Sequence, residues 1–367
     1  MSLLSPSRRL RETPFSAGVK AAGVKAYTVY NRMLLPTVFD DVERDYHHLK
    51  NHVQVWDVSV ERQVELIGPD ASKLMQLLTP RDLTKMQEDQ CYYVPIVDQK
   101  GRMLNDPVAL KHSETRWWIS IADSDLLLWV KGLAIGMGLD VDVFEPDVAP
   151  LAVQGPRSGQ LMERIFGATV HDIRFFRQKR LSFGDTSFIV ARSGYSKQGG
   201  FEIYVEDRRY AMPLWNALFE AGQDLHVRAG CPNLIERIES GLLSYGNDMS
   251  MENTPFECGL DKFCNAPETV DFIGKESLRI EAETGPSRKI RAVAIGGAPV
   301  SATTTAWPLF RGGQTVGQIT SAAWSPDFQT NVAIAMVESG SWDAGTEMMA
   351  DTPEGQRTAT VQTGFWT

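Results

Sequence analysis

Glu202 and Tyr204 stand two residues apart in the stretch Ser-Gly-Tyr-Ser-Lys-Gln-Gly-Gly-Phe-Glu-Ile-Tyr, residues 193–204. Its second half has the spacing of a β-strand entered through Gly199-Gly200. Side chains alternate on a strand, so Phe201, Ile203 and Val205 share one face while Glu202 and Tyr204 share the other. A carboxylate and a phenol then stand side by side, with Tyr195 just ahead of the turn. Taken alone, the stretch reads first as a hairpin with a solvated polar face. Other positions could join it. Tyr93 lies in a strand-like run, Asn105 and Asp106 follow the turn Asp98–Gly101, and Arg237 lies near the apolar side of a predicted helix. Alone, Tyr93 reads as core and Tyr195 as a turn aromatic. Arg237 divides evenly between a surface pair with Glu236 or Glu239 and a buried role.

The elements that must position these groups follow from periodicity. Helices are predicted over about 38–52, 125–137, 209–221 and 233–243, the second capped by Asp123 or Ser124. Leu66-Ile67-Gly68-Pro69 and Val153-Gln154-Gly155-Pro156 each read as a strand, a Gly-Pro turn and a helix with proline in its first turn. They share the pattern G-P-x-x-x-x-L-M, which suggests two related α+β units. From about 286 onward, short alternating strands with Gly-rich turns predict a small β-barrel, with Gly296-Gly297 and Gly312-Gly313 as hairpin turns.

At 367 residues the chain is long enough for two or three domains, and 43% hydrophobic with 23% charged residues is ordinary for a globular protein. The net charge of −9, without a long basic block, argues against nucleic acid or an anionic membrane as the main partner. Cys91, Cys231, Cys258 and Cys264 are scattered, which suggests reduced thiols in a cytoplasmic protein and no zinc site. The first ten residues lack a long apolar run, so no secretory signal is expected. No P-loop or metal-binding cluster is evident either.

Residues 193–204 resemble the T-G-Y-T-G-x-x-G-Y-E-I signature of the glycine-cleavage T-protein (aminomethyltransferase) family, whose members bind tetrahydrofolate. Thr13-Pro14-Phe15, Gly23-Val24-Lys25, Trp56-Asp57-Val58-Ser59, Asp271-Phe272-Ile273-Gly274 and Thr320-Ser321 resemble further family motifs in the same order. The resemblance implies an α+β fold: a three-domain cloverleaf ring of two related α+β domains plus a C-terminal β-barrel domain. The expected division is residues 1–57 with 145–250 for folate, 58–144 with 251–285 for the second α+β domain, and 286–367 for the barrel. It further implies folate contacts from Tyr195, Glu202, Tyr93 (ahead of the family's G-G-x-x-D-D) and Arg237 (the Arg of L-R-L-E-A-G).

Two departures bear on the reaction. Val60-Glu61 replaces the family's His-Met, changing a pocket wall, and Asn105 replaces the first Asp of G-G-x-x-D-D, which is catalytic in aminomethyltransferases. An amide is no general base near neutral pH, and alternation should point Asp106 to the opposite face. Asn105 is then expected to orient the folate or the donor. Transfer of a methyl group from an onium donor tolerates this loss, because the sulfonium is already activated and leaves as a neutral thioether. In this respect the chain resembles the dimethylsulfoniopropionate demethylase branch of the family, with Tyr27–Asn31, Val55–Val58, Asn105–Pro107 and Trp117–Asp125 as the matching segments. On this reading Tyr204, then Tyr30, Trp56 and Tyr195, would hold the cation, and Arg32 or Lys197 would pair with the donor carboxylate. The expected ligands are tetrahydrofolate and a small sulfonium donor, and the expected assembly is a monomer or homodimer. Alternatives are a demethylase of another sulfonium or N-methyl donor, an aminomethyltransferase, and a folate-binding protein without catalysis.

Overall fold

The structure, a computed structural model, describes residues 7–366. The expectation about a secretory signal therefore rests in part on residues outside those described. Among the described residues no helix is long and apolar enough to cross a membrane.

Two sheets and a barrel organise the chain. The six-stranded sheet runs, in spatial order, Gln178–Phe183, Thr186–Ala191, Gly200–Val205, Ala149–Gln154, Gln54–Asp57 and Arg228–Gly230, antiparallel except for the last pair. Its alternation is the predicted one. Leu151, Val153, Val190, Phe201, Ile203 and Val205 join one core with Leu161, Leu214 and Leu218 from the helices Ser158–Phe166 and Ala211–Ala221. The opposite face carries Trp56, Ala152, Glu202 and Ala191 in one cross-strand row, with Tyr204 beside Ile189.

The five-stranded antiparallel sheet runs Asp142–Phe144, Gln63–Ile67, Arg116–Ser120, Val108–Ser113 and Cys91–Tyr93. Its Cys91, Leu110 and Trp118 pack against Ile189, Ala191 and Tyr204 of the first sheet. The rings of Trp118 and Tyr204 lie 5.9 Å apart. The two sheets therefore meet through their inner faces.

The repeated Gly-Pro corners are real and alike. Strands Gln63–Ile67 and Ala149–Gln154 each lead through one to a helix, Ala71–Leu77 or Ser158–Phe166. Gly68 and Gly155 have φ of 151° and 120°. A Cβ at either would strike a backbone carbonyl, that of Asp140 or His52, so only glycine fits. Each proline lies just before the N-cap, Asp70 or Arg157, and so outside the first turn where the sequence placed it.

The barrel closes in the order Arg288–Ile295, Thr330–Glu338, Gln314–Ser325, Trp307–Arg311, Glu347–Thr352, Gly355–Val361. Gly312-Gly313 makes a hairpin turn as expected. Gly296-Gly297 instead opens a longer connection to Trp307. The helices Val42–Asn51, Leu126–Gly136 and Ala211–Ala221 fall where periodicity placed them. The one expected over 233–243 is shorter, Leu234–Glu239. It stops at Ser240-Gly241, where Gly241 turns left-handed with φ 66° and no Cβ fits against the ring of Phe365.

Candidate active site

The hairpin Ala26–Tyr30 and Met33–Val38 turns through Asn31 and Arg32, with φ of 48° and 62°. Positive φ at both central residues is the I′ turn that suits strand twist. Its tip is fastened. The Asn31 amide donates to Val60 O at 2.9 Å and Ala122 O at 3.3 Å, and its backbone N–H to Asp123 Oδ1 at 2.7 Å. Tyr30, next to this fastened tip, is close enough to Glu61 to feel its charge.

Asn105 holds the same loop from the other side. It is fully buried, and its amide donates to Ala122 O at 3.1 Å and Ser124 Oγ at 2.8 Å. Its Oδ1 accepts the Ala122 N–H at 3.0 Å. Both amide hydrogens are engaged within the protein, so the expected orienting role toward a ligand has no support in its geometry. Alternation does send Asp106 to the other face, but that is the face that matters. Asp106 Oδ2 accepts the Tyr93 hydroxyl at 2.9 Å, while its Oδ1 is buried without a partner. Burial pushes this carboxyl up to about 7.

Tyr30, Glu61, Tyr93, Asp106 and Tyr195 are each deeply enclosed by protein, yet solvent still reaches them. They also feel one another's charge. Burial and then Glu202 and Asp106 raise Glu61 well above the ordinary carboxylate range, and burial raises Glu202 as well. Two such neighbouring carboxyls resist simultaneous ionisation.

Glu202 is 7% exposed, and Oε2 accepts the Ser193 hydroxyl and, at 3.5 Å, that of Tyr204. The loop before it is shaped around Gln154, which donates to Ser193 O at 3.1 Å and accepts from Ser196 Oγ at 2.8 Å. A Cβ at Gly194 or Gly200 would collide with the Gln154 amide, which explains both glycines. The Tyr195 hydroxyl sits between Leu242 O at 3.0 Å and Leu243 O at 2.7 Å.

The remaining expected residues do not join this group. Tyr204 is 1% exposed, its ring wedged between the two sheets. Trp56 is equally buried, backs Tyr195, and gives its indole N–H to Gln54 Oε1 at 2.8 Å. Lys197 is an exposed side chain whose backbone N–H donates to Glu236 Oε1 at 2.8 Å. Arg32 points to solvent, 3.9 Å from Asp125. Arg237 is buried but bound to protein. It donates to Asp248 Oδ2 at 2.8 Å and Ser321 Oγ at 2.7 Å, while Ser321 and Thr320 donate to Asp248 Oδ1 at 2.6 and 2.7 Å. It joins its helix to the barrel. Asp248 escaped sequence reasoning entirely, and Glu61 was visible only as a changed wall. An open groove of about 380 Å³ at the outer seam, lined by Asp89, His112, Arg116 and Arg180, holds none of these groups.

The family model described as the GCVT N-terminal domain matches residues 15–267, and that of the glycine cleavage T-protein C-terminal barrel domain matches residues 288–365. The chain belongs to the glycine-cleavage T-protein family, with its three-domain cloverleaf of two α+β domains and a barrel.

Within it, the chain is 62% identical over 366 residues to the dimethylsulfoniopropionate demethylase DmdA of Ruegeria pomeroyi, covering 100% of both. It is 27% identical over 347 residues to the aminomethyltransferase of Shouchella clausii, covering 93% of each. The crystal structure of the glycine cleavage system aminomethyltransferase T from Bartonella henselae has the same fold, with a TM-score of 0.87 over 98% of each chain at 22% identity.

Proposed function

We infer that this protein is a dimethylsulfoniopropionate demethylase that passes one methyl group from the sulfonium to tetrahydrofolate. The observation that carries the reading is end-to-end identity of 62% to a relative of that activity. The enclosed phenols and carboxyls agree with it.

The residues present fit a reduced pterin. Asp106 Oδ1 is a buried acceptor with no partner, Glu202 is a second carboxyl, and Tyr93 and Tyr195 supply aromatic edges around them. Folate supplies the nucleophilic N-5 nitrogen when bound. The methyl carbon leaves sulfur, whose bonding pair stays behind in the neutral thioether methylmercaptopropionate, and bonds to nitrogen. The leaving group needs no proton, as the sequence suggested. The accepting nitrogen must nevertheless shed one, since a cation and a neutral amine become two neutral products. We assign that proton to Asp106 Oδ1. A carboxyl held near 7 accepts a proton at neutral pH. Tyr93 fixes this carboxyl from behind, and Asn105 fixes the loop that fastens Tyr30. The enclosed wall aligns the reactants away from water, which is the main demand of a displacement at an activated carbon. All four cysteines are free thiols, which suits a cytoplasmic setting.

The test is incubation with tetrahydrofolate and a panel of methylated donors, with the folate product identified by mass. The expected product is 5-methyltetrahydrofolate from dimethylsulfoniopropionate. A 5,10-methylene product formed from an aminomethyl carrier would contradict the reading.

A further inference from the structure

The backbone around Glu61 is rigid. Its N–H donates to Val58 O at 2.9 Å, its own carbonyl accepts from Gln63 Nε2 at 2.8 Å, and Asn31 holds the neighbouring Val60 carbonyl at 2.9 Å. Gln63 is itself anchored to Ser120 Oγ at 2.9 Å. The carboxyl carried by this turn is enclosed, yet it makes no hydrogen bond or ion pair with any described residue. The titratable groups near enough to interact with it through their charge are Tyr30 from the hairpin, Glu202 and Tyr204 from the six-stranded sheet, and Asp106 just past Met103–Asn105. All are acids or phenols. The adjacent cation, Arg62, is turned away to Glu145 with Nε 3.0 Å from Oε2. An enclosed carboxyl with a fixed backbone and no cation of its own is an arrangement that a positively charged ligand completes.

Resting on the demethylase reading above, we propose that Glu61 selects the donor, its carboxylate facing the sulfonium while the Tyr30 ring covers another side of the cation. The residue sets specificity and takes no part in bond exchange. Its effect on the methyl donor is a difference between charged and uncharged ligands of one shape. Without a ligand, burial and the nearby Glu202 charge hold the Glu61 carboxyl above the ordinary carboxylate range, and arrival of a cation favours its ionised form.

Two probes of the same shape separate charge from fit. Dimethylsulfoniopropionate carries the sulfonium, and 4-methylpentanoate has an uncharged carbon at the same place. Wild-type protein should bind the sulfonium at least about tenfold more tightly than the carbon isostere. Glu61→Gln keeps the shape. It should raise KM for the sulfonium roughly tenfold to hundredfold, with kcat changed far less, and leave affinity for 4-methylpentanoate and tetrahydrofolate within about twofold. Glu61→Asp should retain part of the preference. Should Glu61→Gln fail to fold, the wild type decides alone, and equal affinity for the sulfonium and the carbon isostere overturns the proposal. A folded Glu61→Gln that still prefers the sulfonium also overturns it and leaves the demethylase reading standing. A wild type that turns over no sulfonium overturns both.

Discussion

Two of the buried charge clusters among the described residues are built from similar residues to opposite ends. In the first, Arg237 meets Asp248, and Ser321 and Thr320 supply the remaining hydrogen bonds, so charge and donors balance within the protein. In the second, Glu61, Glu202 and Asp106 share one enclosure with phenols, without a cation acting on Glu61. The first cluster is closed and joins a helix to the barrel. The second is open, with one Asp106 oxygen unpartnered. A fold tolerates such an imbalance where a ligand removes it, and the cost appears as raised carboxyl pKa values.

Breaking the closed cluster should have the largest effect. Arg237→Ala leaves Asp248 buried without its counter-charge and should lower unfolding free energy by about 3–5 kcal/mol, measured by urea titration. Relieving the open cluster should act in the other direction. Asp106 is raised from 3.8 to about 7 in the folded protein. Between those values the native state holds a proton that the unfolded chain has lost, so this contribution to stability falls as pH rises through the window. In ligand-free protein Asp106→Asn should therefore gain roughly 2–4 kcal/mol at pH 8 relative to wild type and nothing near pH 3. Thermal melts across pH check the sign. The smallest effects belong to the cations that reach neither cluster. Lys197→Ala and Arg32→Ala should each change KM for the donor by less than about twofold in steady-state assays.

The same contrast explains what the sequence disclosed. Strand alternation was legible at Phe201–Val205 because period-two patterning and burial agree there. The Gly-Pro corners and the barrel were legible because glycine and turn chemistry punctuate them. Residues that act through distant contacts were not. Asn105 looked like an altered catalytic position, but its amide meets a loop seventeen residues away. Asp106 looked misdirected, since no local pattern says which strand face meets the other buried carboxyls. Tyr204 and Trp56 looked like cation holders, yet both are sealed by sheet packing that only the tertiary structure reveals. The Asn233 helix ended early at the left-handed Gly241, a local stop that the apolar periodicity overran.

The central claim is that Asp106, at the open cluster, takes the proton that the folate nitrogen sheds. The most direct measurement is the pH dependence of kcat with both substrates saturating, for wild type and Asp106→Asn. The wild-type rate should rise with pH and level off near or above about 7, as the base form fills. Asp106→Asn should be roughly a hundredfold slower and lack that rise. A variant as fast as wild type, with the same profile, would contradict the account.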